Sequence, residues 1–263
     1  MELNGKRVLV TGSSSGIGAA IASTLAAEGA AVVVHGRDSE RTAKTTSVIR
    51  DAGGRAEEVI GDLTDEEQAE AVCQQVLGSG GVDILVNNAG GRHGGWEPAG
   101  WLDTLPATWL ETYRLNVVAA VTLVNRLVPT MTTRGWGRVI QIASAVALHQ
   151  PPRFADYQAA KAAEINLSRS LARSLAGTGV TANSISAGII HTPGSAGELA
   201  GIAEQAGLVG GWQANEQHLA LRVFGQAVGR VGRANDIAAA VAYLASPKAD
   251  FVTGVNLVVD GCI

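Results

Sequence analysis

The chain has 263 residues, 46% of them apolar and 17% charged, with a formal net charge of −4. That is ample material for a core, excludes a disordered chain, and suits one α/β domain. No basic run supports nucleic-acid binding, and the two cysteines, Cys73 and Cys262, lack metal-ligand spacing, so no disulfide framework and no metal are expected.

Arg7–Thr11 reads as a first strand and Ile17–Glu28 as a helix closed by Gly29. Ala31–His35 is a second strand, Ser39–Ala52 a helix, Ala56–Gly61 a third strand, and Asp65–Leu77 a helix before strand Val82–Asn87. Pro106 opens a long helix to about Arg134; strand Arg138–Ala143, helix Phe154–Ala176 and strand Val180–Ser186 follow. Helix Ala234–Ala245 precedes a last strand, Val255–Val259. The strands are continuous apolar runs, such as Val32-Val33-Val34, which is how strands covered on both faces read. The alternation predicts a Rossmann-type, doubly wound parallel sheet with helices on both faces, in one domain over 1–263. Only Ala187–Gly229 breaks the rhythm, as a flexible flap or an inserted helical pair over about 189–229 would. No signal peptide is expected ahead of the first strand. No uncharged apolar stretch reaches about 18 residues, so no membrane span is expected and a cytoplasmic location is the default.

Strand one runs into Thr11-Gly12-Ser13-Ser14-Ser15-Gly16-Ile17-Gly18 and then a helix. In such a turn Gly12 permits the bend, Gly16 lets backbone approach a pyrophosphate, and Gly18 lets the helix pack closely. The helix N-terminus offers N–H groups and partial positive charge to phosphates. Three glycines at fixed spacing arise by chance about 0.5 times in so glycine-rich a chain, so the meaning comes from their place between strand and helix.

Tyr157 and Lys161 stand four apart on one helix face, Cβ atoms about 5–6 Å apart. An ammonium there favours phenolate and brings a phenol toward acid–base work near neutral pH. Ser144 follows strand Arg138–Ala143, at the strand end where open α/β sheets place ligands. It also reads as a loop serine or a cap. Asn116, an amide among Leu115, Val117 and Val118, needs partners if buried and also reads as a satisfied core residue.

The spacing GxxxGxG, with Asn87-Asn88-Ala89-Gly90 and Tyr157-x-x-x-Lys161, resembles the short-chain dehydrogenase/reductase family, 3-oxoacyl reductase-like members included, along essentially the whole chain. The resemblance implies Tyr157 as acid/base, Lys161 on the nicotinamide ribose, Ser144 orienting the carbonyl and Asn116 holding a relay water. It implies cofactor contacts at Gly12, Ser14, Ser15, Gly16, Ile17, Gly18, Arg37, Asp62, Leu63, Asn88, Ala89, Gly90, Tyr157, Lys161, Gly188, Ile190 and Thr192, with Asn87 a structural pin.

NADP(H) is favoured over NAD(H). Gly36 occupies the place where NAD-dependent members carry aspartate, and Arg37 would accept a 2′-phosphate. Asp38 blurs this unless it caps the following helix, and Ser15 stands where many NADP users have a basic residue. Ala187 replaces the family's usual proline, which leaves φ unfixed there and implies a less preorganised cofactor loop or room for a bulkier substrate. Arg92, His93, Trp96, Trp101, His149, Phe154, Trp212 and Phe224 are candidate substrate lining or packing residues. The partner is a small-molecule carbonyl or alcohol. The leading expectation is a ketoreductase. The alternatives are an NAD-dependent dehydrogenase of a sugar or steroid-like secondary alcohol and a non-catalytic dinucleotide-sensing protein. The resemblance implies a homo-oligomer, tetramer or dimer, built on helices 106–134 and 154–176 and on the C-terminal segment.

Overall fold

Val8, Leu9, Val10, Val32, Val33, Val34, Ile84, Leu85 and Val86 are all buried, as strand runs apolar on both faces require. The computed structural model describes residues 2–95 and 100–263; candidate Trp96 lies outside the described residues. In chain order the elements are β1 (Arg7–Val10), α1 (Gly16–Ala27), β2 (Ala31–Gly36), α2 (Ser39–Asp51), β3 (Arg55–Ile60), α3 (Glu66–Gly78), β4 (Ile84–Asn87), α4 (Pro106–Tyr113), α5 (Ala119–Arg134), β5 (Gly137–Ser144), α6 (Val146–His149), α7 (Ala155–Ser174), β6 (Val180–Ala187), β7 (Ile190–His191), α8 (Ala196–Gln205), α9 (Trp212–His218), β8 (Gly232–Arg233), α10 (Ala234–Ala245) and β9 (Asn256–Val259).

Seven strands form one parallel sheet in the order β3-β2-β1-β4-β5-β6-β9. Ile21 and Leu25 of α1 with Ile237 and Val241 of α10 fill one face; Val72, Val76, Leu123, Leu127 and Met131 of α3 and α5 fill the other. Burying a leucine of this kind contributes about 1.5–3 kcal/mol. The strand order reverses between β1 and β4, and the crevice at the strands' C-terminal ends there is the place such sheets offer a ligand.

Two features differ from the sequence reading, and a third selects one of its alternatives. The helix expected over 106–134 is continuous but opens at Arg114–Val118 into a π turn that buries Asn116. This helix is also long and apolar enough to cross a bilayer by length and composition. The earlier expectation counted only uncharged stretches. The apolarity has a use inside the fold, because Leu123, Leu127 and Met131 are fully buried under the sheet. Finally, the irregular 189–229 segment is the helical pair α8 and α9, pinned at its root by the two-stranded β7–β8 ladder.

Candidate active site

The bend after β1 is built before any ligand is considered. Gly12 and Gly16 both have positive φ, +63° and +56°. Ser15 enters α1 extended, without a side-chain cap, and no acidic residue stands in the first turn. The N–H groups and dipole of that end are therefore turned to an anion. A Cβ on Gly18 would lie 2.4 Å from the Gly12 carbonyl oxygen and 2.5 Å from Asn88 Nδ2, so only glycine lets α1 close on the bend. Asn88 donates through Nδ2 to the Thr11 carbonyl at 2.8 Å, and the N–H groups of Asn88 and Ala89 both donate to Thr11 Oγ1 at 2.9 Å. The pin is thus Asn88. The Asn87 amide, expected to be the pin, is buried with no hydrogen-bond partner among the described residues.

His35 is a functional residue that the sequence reading missed. Its Nδ1 accepts the Gly12 N–H at 3.1 Å, which leaves Nε2 to donate to the Gly61 carbonyl at 3.1 Å. Burial pulls its pKa down to about 4, so the ring is neutral and the tautomer fixed. Ser13 Oγ completes the brace, accepting the His35 N–H at 2.9 Å and donating to the Val10 carbonyl at 2.6 Å. An imidazole closing the run Val32-Val33-Val34 was the available signal.

Ser144, Tyr157, Lys161 and Asn116 converge at the ends of β4 and β5. Ser144 closes β5 opposite Ala187, and its hydroxyl stands near enough to Tyr157 to draw that phenol's pKa downward. Lys161 Nζ lies 5.5 Å from the Tyr157 ring centroid and donates to the Ile142 carbonyl at 3.0 Å. It also donates to both carboxylate oxygens of Glu164, at 3.1 and 2.9 Å. Asn116 is fully engaged: Oδ1 accepts the Gly91 N–H at 3.1 Å, and Nδ2 donates to the Gly91 and Thr112 carbonyls at 2.7 Å. Its side chain therefore fixes the turn after β4. A Cβ on Gly90 would stand 2.6 Å from Asn116 Oδ1 and 3.1 Å from Lys161 Nζ.

The Tyr157 phenol is raised above its ordinary value, a correction to the expected lowering. Burial of the hydroxyl is the largest cause; Lys161 pulls downward, but Glu164 pushes back up and the nearby Ser144 hydroxyl lowers only in part.

At the end of β2, a Cβ on Gly36 would fall 2.4 Å from Thr42 Oγ1 and 2.8 Å from Ser14 Cβ. An aspartate cannot stand there without moving that floor. Arg37 is exposed and reaches Asp62 Oδ2 at 3.5 Å, while Asp62 Oδ1 accepts the Thr64 N–H and hydroxyl. Leu63 beside it is buried. Asp38 caps α2, accepting the Arg41 N–H at 3.0 Å, so it is already occupied.

Across the crevice Thr192 faces Gly16, whose added Cβ would meet nothing nearer than 3.8 Å. The donor set of the α1 terminus, uncapped and without an acidic residue in its first turn, fits the diphosphate of a dinucleotide. Ala187 is not loose despite the missing proline. It is buried and paired in β6, and its carbonyl accepts the Ala145 N–H at 2.9 Å. Gly188 donates to the Val259 carbonyl, and Ile190 is held in β7.

The substrate candidates separate. Arg92 is committed to Asp156, Nε to Oδ1 at 3.0 Å, with both side chains buried. Trp101 packs edge-on against Trp109 on the outer face of α4. His149 Nε2 lies 3.1 Å from Asp260 Oδ2, and Trp212 stacks on His191 with centroids 4.2 Å apart. Phe154 sits under Arg92 and Arg153.

The short chain dehydrogenase family model matches residues 6–201. The 3β-hydroxysteroid dehydrogenase 1 of Eggerthella lenta is 36% identical over 264 residues, spanning 99% of this chain and 94% of that protein. The 3-oxoacyl-[acyl-carrier-protein] reductase FabG of Haemophilus influenzae is 33% identical over 98% of each. Among solved structures, L-sorbose reductase from Gluconobacter frateurii, complexed with NADPH and L-sorbose, superposes with a TM-score of 0.90 at 32% identity, covering 100% of this chain and 98% of that one. A 3-oxoacyl reductase from Agrobacterium tumefaciens with NADP bound gives 0.88 at 32% identity, covering 99% and 95%.

Proposed function

This chain belongs to the short-chain dehydrogenase family and is an oxidoreductase of alcohol or carbonyl substrates, and we propose that it is an NADP(H)-dependent ketoreductase with Tyr157 as proton donor. The observation that carries this reading is the convergence of Tyr157, the Lys161 ammonium 5.5 Å from its ring centroid, and Ser144 at the end of β5. When bound, the nicotinamide supplies the hydride. Ser144 and Tyr157 hold the carbonyl oxygen, and the Tyr157 proton passes to that oxygen as negative charge develops. Lys161 keeps positive charge beside the phenol and binds the ribose hydroxyls. Asn116 acts by fixing Gly91 and the turn that carries Gly90.

The first turn of α1, with Ser14, Ser15, Gly16, Ile17 and Gly18, receives the diphosphate. Arg37 would take the 2′-phosphate, and Asp62 and Leu63 would hold the adenine. Gly188, Ile190 and Thr192 close the nicotinamide end. The filled floor under Gly36 supports NADP over NAD, since the carboxylate that would bind a ribose diol has no room there. NADP or NADPH in the neighbouring structures agrees with this choice.

The substrate class we favour is an oxoacyl thioester or a cyclic ketone, consistent with the hydroxysteroid and oxoacyl names among the relatives. We read residues 1–263 as one catalytic domain, working in the cytoplasm as a tetramer or dimer. The exposed Trp101, Leu105, Leu110 and Phe251 offer apolar contact surface for copies of the chain.

The test is a screen of ketones and alcohols with NADPH and NADH, followed by Tyr157→Phe. Loss of about a hundredfold or more in kcat supports the role. Carbonyl reduction at the wild-type rate removes Tyr157 from the mechanism, and a preference for NADH removes the cofactor assignment.

A further inference from the structure

The buried stripe of α7 carries Ala160, Lys161, Glu164 and Ser168. Two of these four are ionisable, although the stripe packs against strands β5 and β6. A buried charge persists only when it is paired and hydrogen-bonded. Here the pair is complete. Lys161 Nζ has three donors, and all three find protein oxygen: the Ile142 carbonyl and both oxygens of Glu164. Both side chains are nearly sealed from solvent, at 3% and 1% exposure. Nothing in the sequence reading assigned Glu164 a part.

We propose that Glu164 is a positioning residue that tunes charge: its carboxylate, fixed on the Lys161 ammonium, damps the pull of that ammonium on the Tyr157 hydroxyl and so sets the pH range over which the phenol gives up its proton. The proposal rests on the assignment of Tyr157 as the proton-transfer group. An unopposed ammonium one turn from the phenol would favour phenolate strongly, and a carboxylate one turn further along the same helix opposes it. Glu164 holds the ammonium through two of its three donors, so one can be released to a ribose hydroxyl while the other keeps the charge compensated.

The charges around this pair are few. Lys161 is the charged group acting on Glu164 among the described residues. Tyr157 lies on the same helix, and β5 contributes the neutral Ile142 carbonyl. Among the described residues, the charged groups on the elements packed against α7 have partners of their own, Glu111 with Arg114, Arg138 with Asp250 and His149 with Asp260, and α4 adds the titratable Tyr113; on α7 itself Asp156 pairs with Arg92, and Arg169 and Arg173 are exposed. Burial pushes the Glu164 carboxyl up to about 7 while Lys161 draws it back. The same carboxylate raises both Lys161 and Tyr157.

The experiment compares wild type, Glu164→Asp and Glu164→Gln in two measurements. The first follows Tyr157 in the cofactor-free protein, by NMR of tyrosine labelled with carbon-13 at Cζ, with Tyr157→Phe to assign the resonance. The second is the pH dependence of alcohol oxidation by the enzyme with cofactor, with thermal unfolding as the check on folding. Expected is a fall in the Tyr157 titration of about one pH unit in Glu164→Gln, with Glu164→Asp between it and wild type. The acid limb of the oxidation profile moves the same way. A Tyr157 resonance that titrates alike in wild type and a folded variant overturns the proposal, as does an upward shift. If Glu164→Gln does not fold, Glu164→Asp alone decides by the sign of its shift. The two readings fail separately. Full activity in Tyr157→Phe ends the functional assignment while leaving the spectroscopic coupling measurable.

Discussion

The Gly12 N–H points into the ring of His35 and is accepted by Nδ1 at 3.1 Å. This ties the first glycine bend to β2, and through Nε2 to the Gly61 carbonyl. The glycine turn is therefore braced by a neutral imidazole, and its integrity depends on that ring staying unprotonated.

The first prediction concerns pH. His35 titrates at about 4 in the folded chain against an ordinary 6.5. Between these values the unfolded chain holds the extra proton, so stability rises with pH there. The His35 contribution, about 3 kcal/mol, is fully present above about 6.5 and is lost as pH falls toward 4. Glu164, raised to about 7, tilts the opposite way. The difference in urea-unfolding stability between wild type and His35→Leu isolates the imidazole. That difference should shrink on acidification, and a pH-independent difference contradicts the brace.

The second concerns the cofactor. Arg37→Ala should raise KM for NADPH about tenfold while leaving NADH nearly unchanged, since it removes a charge-assisted contact to the 2′-phosphate. Gly36→Asp should not produce an NAD-specific enzyme. Its Cβ meets Thr42 and Ser14, and overpacking of that kind costs about 1–3 kcal/mol. Steady-state kinetics with both cofactors and a melting curve read the two effects.

A third concerns the clamp ahead of the phenol. Asp156 accepts from Arg92 Nε at 3.0 Å and from Thr112 Oγ1 at 2.7 Å, wholly buried. Arg92→Leu leaves the carboxylate uncompensated and should destabilise the fold by about 3–5 kcal/mol. The double variant Arg92→Leu with Asp156→Leu should recover part of that loss. Chemical unfolding of the three proteins checks the order.

The last concerns Gly90. Gly90→Ala places a methyl group against Asn116 Oδ1 and Lys161 Nζ. Displacing the ammonium by a few tenths of an ångström should lower kcat about tenfold or more, and crowding the buried Asn116 amide should cost about 1–3 kcal/mol of stability. Unchanged turnover would mean that Lys161 tolerates movement.

The chain's own pattern determined a good deal. Uninterrupted apolar strands demanded a sheet covered on both faces, the glycine turn located the ligand end of β1, and four-residue spacing put Tyr157 and Lys161 on one helical face. These follow from periodicity and backbone sterics, which are local. Tertiary structure alone decided what required partners from distant segments. It brought the Ser144 hydroxyl to Tyr157, made Asn88 rather than Asn87 the pin, and set His35 under Gly12. It also reversed the direction of the Tyr157 shift. Burial acts on a group through everything packed around it, and the sequence displays only the neighbour four residues away.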